Sequence, residues 1–157
     1  NDDVVIEIGS GNGQALLEIE KKKPSKIYAV EISEDFRKDL FSRFNSAKIT
    51  ITGNDAANLA SIVSDKSIDK AILINVIYFL DPLDTYLEEL KRVLKTSGVI
   101  IIAGKFGLAQ GFDPKIFKNT DIQKIMPALE KHFAVTSTYV DLGDESSQYH
   151  AIKLMKK

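Results

Sequence analysis

The run Val4-Val5-Ile6-Glu7-Ile8, followed directly by Gly9-Ser10-Gly11-Asn12-Gly13, constrains this chain more than any other stretch. Valine and isoleucine at that density and length read as a strand covered on both faces, the habit of a parallel sheet. The glycines allow a turn through positive φ and leave no Cβ between the backbone and a ligand. Behind them, Gln14 to Glu20 puts Ala15, Leu16 and Ile19 on one helical face. Strand, glycine turn and helix make the first half of a dinucleotide-type unit, with the helix N-terminus aimed at whatever sits above the turn.

The glycine spacing is GxGxG, whereas a pyrophosphate binder carries GxGxxG. No Lys or Arg occurs from Asn1 to Glu20, while Glu7, Glu18 and Glu20 do. A turn with a carboxylate and no cation suits a positively charged ligand better than a phosphate. The plain alternative for the loop by itself is a glycine turn that binds nothing.

At 157 residues the chain is the length of one domain and can bury about two thirds of its extended surface. A net charge of -1 and a pI near 6.2 give no general attraction for nucleic acid or an anionic membrane. Cysteine is absent, so no disulfide, thiolate nucleophile or cysteine metal site is expected, in keeping with a cytoplasmic protein. No metal site of any kind is expected. No stretch reads as a membrane span or a signal peptide.

Lys26 to Glu31, after the Lys21-Lys22-Lys23-Pro24-Ser25 breaker, reads as a second strand ending in an acid. Ser33 then caps a helix with Glu34 and Asp35 in its first turn, and Phe36, Leu40 and Phe44 mark its buried stripe. Lys48 to Thr52 alternates as a third strand with Gly53-Asn54-Asp55 as its exit, and a short helix is expected over Asn58 to Val63. Lys70 to Val76, the most apolar run, should be a central strand. Asp81 and Pro82 read as cap and first position of a helix whose stripe Leu83, Leu87, Leu90, Leu94 stops near Gly98, before a fifth strand, Val99 to Ala103.

Gly104 to Asn119 is long for a connection and rich in glycine and phenylalanine, either a binding lid or a surface crossover pinned by its aromatics. Thr120 with Gln123 resembles a capping box, and Pro127 calls for a kink or restart within Asp121 to His132. Phe133 to Leu142 and Gln148 to Met155 are strand-like, and Gly143 to Ser147 between them is too short for a parallel crossover, so they should form an antiparallel edge hairpin. Strands alternating with helical patterns make a doubly wound, Rossmann-like α/β sheet the economical topology. Gly9, Glu31, Asp55, Asn75 and Gly104 all fall at strand C-terminal ends, where such a sheet binds its ligand.

The glycine turn, the acid ending strand two, the acid after strand three and the terminal hairpin together resemble the class I S-adenosylmethionine-dependent methyltransferases, over residues 1–157 as one domain. The resemblance implies a sheet of order 3-2-1-4-5-7-6, mostly parallel, with S-adenosyl-L-methionine as cofactor. It makes Glu7, Gly9, Ser10, Gly11, Asn12 and Gly13 the motif under the methionine part, Glu31 with Ile32 the ribose site, and Asp55 with Ala56 the adenine site. Asn75-Val76-Ile77-Tyr78-Phe79-Leu80-Asp81-Pro82 would be the motif beside the methionine and substrate, with Asn75 and Val76 at the cofactor. In the family, helices N-terminal to this domain usually close over the site; residues 1–157 are expected to lack them, with the helices either not included in this sequence or replaced by a partner that completes an open site.

Glu31 lies 20 positions beyond Gly11, the interval that brings a carboxylate on the neighbouring strand to ribose hydroxyls. Its alternative role is a solvated strand-end charge; Asp55 could instead bond its own turn, and Asn75 could cap its strand. Methyl transfer asks for in-line geometry and a water-poor pocket more than for a general base, so no catalytic residue is assigned. His132 and His150 are placed on a helix end and the hairpin, and Tyr78 and Phe106 are the candidates for lining an acceptor pocket. No Asn-Pro-Pro-Tyr or Asp-Pro-Pro-Tyr run follows strand four and no Pro-Cys dipeptide occurs, which points away from DNA and toward a small-molecule substrate. A homodimer is compatible with such a domain. Two other functions share these features: a non-catalytic cofactor-binding or scaffold module of the same fold, and an NAD-dependent oxidoreductase, which the spacing and the hairpin disfavour.

Overall fold

The computed structural model describes residues 2–144 and 147–157. Its centre is a seven-stranded sheet of order β3-β2-β1-β4-β5-β7-β6, from β1 (Val4–Ile8), β2 (Lys26–Val30), β3 (Ile49–Thr52), β4 (Ile68–Ile74), β5 (Leu94–Gly104), β6 (Phe133–Val140) and β7 (Tyr149–Lys156). The first five strands run parallel, and β7 is antiparallel to both β5 and β6. The helices are α1 (Gln14–Lys21), α2 (Glu34–Arg43), α3 (Leu83–Val93), the single turn α4 (Phe106–Ala109) and α5 (Ile122–His132). The expected order and the terminal hairpin are both present; two residues of the hairpin connection, Glu145 and Ser146, lie outside the described residues, as does Asn1.

Strand side chains alternate between two cores. Val5, Ile27 and Ala29 pack with Leu16 and Ile19 of α1 and Leu40 of α2. Ile6, Ile8, Val30, Ala71 and Leu73 pack on the other face with Leu83, Leu87 and Leu90 of α3 and Leu129 of α5. β1 and β2 are thus buried from both sides, which accounts for their near-continuous apolar sequence, while β3 at the sheet edge is only half-buried.

Several local expectations are corrected. Asn58 to Val63 is a set of turns carrying Leu59 and Val63 into the core, with no helix. It is fastened from outside: Glu89 of α3 accepts from the Leu59 N–H at 2.6 Å and pairs with Arg92 at 2.7 Å, and Arg92 reaches the Val63 carbonyl and Asp65. Pro82 occupies the N-cap of α3, not its first position, and the Asp81–Pro82 peptide is cis. The helix stops at Val93 because Leu94 turns extended and pairs at once with Ile68. Gly98 is therefore no helix stop: it lies inside β5, where a Cβ would come within 2.7 Å of Leu94 and 2.9 Å of the Ile68 carbonyl. Asp121, not Thr120, caps α5, accepting from the Gln123 N–H at 3.0 Å. The helix continues through Pro127 without a restart, the proline facing solvent. β4 ends at Ile74, two residues early, because Asn75 takes φ 54, the left-handed region that asparagine tolerates better than most residues.

Candidate functional site

The C-terminal ends of β1, β2 and β4 open into a cleft of about 400 Å³. Its floor is the glycine turn. The Gly9 and Ser10 amides bond the Val30 carbonyl, locking the turn to β2, and Gly9, Gly11 and Gly13 all have positive φ. The three glycines serve different contacts. A Cβ on Gly9 would strike Val76 at 2.5 Å, and one on Gly13 would strike Leu40 at 2.7 Å. One on Gly11 would meet nothing nearer than 3.9 Å, so the space above Gly11 is left for a ligand.

Glu31 forms the acidic wall. It is 7 % exposed, and its Oε2 accepts from the Gly11 N–H while Oε1 accepts from the Ser33 N–H, both at 2.8 Å. Arg37 of α2 steadies the same bend by donating to the Glu31 carbonyl at 2.8 Å and the Ile32 carbonyl at 2.7 Å. Arg37 carried no sequence signal, and neither did Arg43, whose guanidinium donates to the Asn12 carbonyl at 2.5 Å. A stretch free of basic residues in sequence thus receives Arg43 in space, and the bend after β2 receives Arg37, both through backbone oxygens.

Beneath the turn, Glu7 is 2 % exposed. Burial pushes its carboxyl up to about 7, with the neighbouring Ser10 pulling down and the Glu31 charge pushing further up. Among the described residues, Glu7 Oε2 and Ser10 Oγ make no hydrogen bond. Two unpaired polar atoms buried behind the glycine turn cost stability.

Of the residues expected at the site, Gly9, Gly11, Glu31, Ile32, Ala56, Asn75 and Val76 line the cleft. Glu7, Ser10 and Gly13 sit buried behind the turn, and Asn12 faces solvent, its side chain accepting from the Gln14 N–H at 3.3 Å. Asp55 is exposed and bonds its own turn, accepting from the Ala57 N–H at 2.9 Å. Its charge still acts on Tyr86 across the cleft edge, whose hydroxyl is raised by burial first and then by Asp55 and Asp81. Phe36 departs from the expected buried stripe. It is 47 % exposed and lines the cleft, while Leu40 and Phe44 are buried against Gly13.

Ile8, Val30, Ile74, Phe79, Leu80 and Tyr86 complete the lining; Phe79 and Leu80 fall in the stretch expected beside the methionine and substrate, whereas Ile74 and Tyr86 had not been anticipated. An apolar residue at a strand end or helix start looks the same in sequence whether it faces core or cleft. Tyr78 and Phe106, the expected acceptor-lining pair, are buried against each other with ring centres 5.5 Å apart and lie outside this cleft. Burial raises the Tyr78 hydroxyl to about 12, so it keeps its proton at neutral pH. His132 is buried at the end of α5, bonded to Asp84 at 2.6 Å, and His150 packs in the hairpin against Tyr139; neither borders the cleft. Among the described residues no helix is long and apolar enough to cross a membrane, and no three His, Cys, Asp or Glu side chains gather as a metal site.

A parallel sheet with the terminal reversal β5-β7-β6, a glycine cradle on β1 and a buried acid on β2 define a Rossmann-like transferase fold. The family described as Methyltransferase domain matches residues 6–102, and the chain belongs to it. That match runs from β1 to the core of β5 and so contains the whole cleft. Solved structures extend the likeness through the hairpin. A SAM dependent methyltransferase from Archaeoglobus fulgidus is 20 % identical with a TM-score of 0.81, covering 100 % of this chain and 87 % of its own. One from Aquifex aeolicus is 20 % identical with a TM-score of 0.78, covering 99 % and 82 %. The PH0226 protein from Pyrococcus horikoshii OT3 is 19 % identical with a TM-score of 0.76, covering 100 % and 83 %. At such identities the likeness establishes the fold. No curated protein matches the chain in sequence.

Proposed function

We propose that residues 1–157 act as one S-adenosylmethionine-binding domain that transfers a methyl group to a small-molecule acceptor. The observation that carries this is the open space over Gly11 with the Glu31 carboxylate at its edge. The residues present fit the cofactor. Each Glu31 oxygen uses one lone pair on backbone and keeps another for a ribose hydroxyl, and Ile32, Phe36, Ala56 and Leu80 offer apolar surface to an adenine ring. The orphaned Glu7 and Ser10 oxygens lie under the turn where the cationic methionine end would rest.

When bound, the cofactor would supply an activated methyl for an acceptor lone pair, sulfur keeping the electron pair of the broken carbon–sulfur bond and any acceptor proton passing to bulk solvent as the product leaves. The chain's own part is geometric and electrostatic. Gly9 and Gly11 let the backbone approach, Glu31 orients, and the apolar rim of Ile74, Val76 and Phe79 keeps water away from the reacting atoms. No histidine lines the cleft, which agrees with chemistry that needs no strong base. Calorimetry with S-adenosylmethionine and S-adenosylhomocysteine tests the proposal. Saturable heat with both is expected, and silence with both, together with tight NADH binding in a fluorescence titration, would transfer the cleft to a nicotinamide cofactor.

A further inference from the structure

β6 is the last strand of the sheet, with β7 as its neighbour on one side and no strand on the other. Its eight residues, Phe133-Ala134-Val135-Thr136-Ser137-Thr138-Tyr139-Val140, carry no charge, no proline and no register shift against β7. Edge strands are ordinarily blunted by such devices, because their outward N–H and C=O groups template pairing with a further strand. Among the described residues, no backbone group of residues 134–140 bonds to anything outside β7. The opposite edge, β3, is four residues long and follows Lys48.

The strand is its own complement. A two-fold axis normal to the sheet keeps each side chain on its face, so an antiparallel pair of identical strands has to centre on a residue. Centred on Ser137, the pair sets Thr136 opposite the partner's Thr138 on one face and Val135 opposite the partner's Tyr139 on the other, each contact occurring twice. Threonine on threonine, and a β-branched residue on an aromatic ring, are favourable cross-strand pairs. A centre at Thr136 or Thr138 loses both matches. Val135, Ser137 and Tyr139 share the face on which α5 packs, and Ile122, Met126, Pro127 and Glu130 of α5 line an open hollow of about 410 Å³ with Ser137. Tyr139 is 54 % exposed. Set across from Val135, the partner's Tyr139 lies on that same face beside the hollow, where thioether and proline surface can cover its ring.

We propose that β6 pairs with β6 of a second copy of this chain, antiparallel and centred on Ser137, joining two seven-stranded sheets into one. Each chain offers one such edge, so association closes at the dimer. The pairing is independent of the cofactor reading, because β5 and β7 stand between β6 and the strands that carry the cleft.

Sedimentation equilibrium of the full chain tests this, together with cysteine cross-linking, which the absence of native cysteine makes position-specific. A monomer–dimer equilibrium is expected. Ser137→Lys places two ammonium groups opposite each other, and Tyr139→Ala removes one contact twice over; each should raise the dimer dissociation constant about tenfold or more with the circular dichroism spectrum retained. Under mild oxidation Ser137→Cys should cross-link to its own copy, since directly opposed residues stand about 4.5–5.5 Å apart between Cα atoms, within disulfide reach. Thr136→Cys alone should not, because its own copy lies two residues further along the pair, whereas Thr136→Cys mixed with Thr138→Cys should give a cross-linked dimer. Monomer alone at several hundred micromolar overturns the proposal and leaves the edge to a strand of another protein. A dimer indifferent to Ser137→Lys and Tyr139→Ala, one in which Thr136→Cys cross-links as readily as Ser137→Cys, or assembly beyond two copies overturns it as well.

Discussion

Glu31 spends one lone pair of each oxygen on the Gly11 and Ser33 amides, so it builds the turn as well as lining the cleft. Glu31→Ala removes both contributions. Cofactor binding should weaken at least about tenfold, the equivalent of one charge-assisted hydrogen bond, while far-UV circular dichroism stays native; unchanged calorimetric affinity would take Glu31 out of the site. Glu7 makes a different prediction. Its carboxyl is raised from 4.5 to about 7, so the folded chain keeps a proton that the unfolded chain has released over that interval. Stability from this group is fully present below about 4.5 and is lost as pH rises through about 7. Glu7→Gln cannot ionise, so without ligand it should exceed the parent by about 3 kcal/mol at pH 8, at 1.36 kcal/mol per pKa unit, and by little near pH 4.5. Urea titrations of the pair at the two pH values measure this, and a difference independent of pH would refute it.

The segment between β3 and β4 shows how an element is set by another element. Leu59 and Val63 are apolar enough to be buried, but the spacing that suggested a helix there was answered by turns because Glu89 and Arg92 of α3 supply partners for the backbone. Arg92→Ala leaves Glu89 without its cation and frees the Asp65 side of the turn. Local opening should rise, and the Leu59 and Val63 amides should exchange with solvent about tenfold faster or more, with β1 amides unaffected. Uniform acceleration across the chain would instead mean global destabilisation. Gly98 carries a similar lesson: a glycine near a helix end reads as a stop, yet its reason is a close approach to Leu94 and the Ile68 carbonyl. Helix-cap residues are interchangeable over a residue or two in sequence; side-chain reach selected Asp121 over Thr120, whereas Pro82 stands at the cap of α3 without a side-chain bond.

At the scale of the molecule, two apolar layers sandwich the parallel strands and leave one end of the sheet for binding. The strand and helix runs, their parallel winding, the final hairpin and the positions of Gly9, Gly11, Glu31 and Asn75 at strand ends were all legible in the amino-acid sequence. These follow from local rules, because side-chain period, β-branching and glycine content act within a few residues. Only the tertiary structure turned Phe36 outward to the cleft, withdrew Tyr78 and Phe106 into the core, and brought Arg37 to the bend at Glu31 and Arg43 to the glycine turn. Those placements depend on how distant elements pack and where their side chains end, and no periodicity along the chain encodes a distance across it.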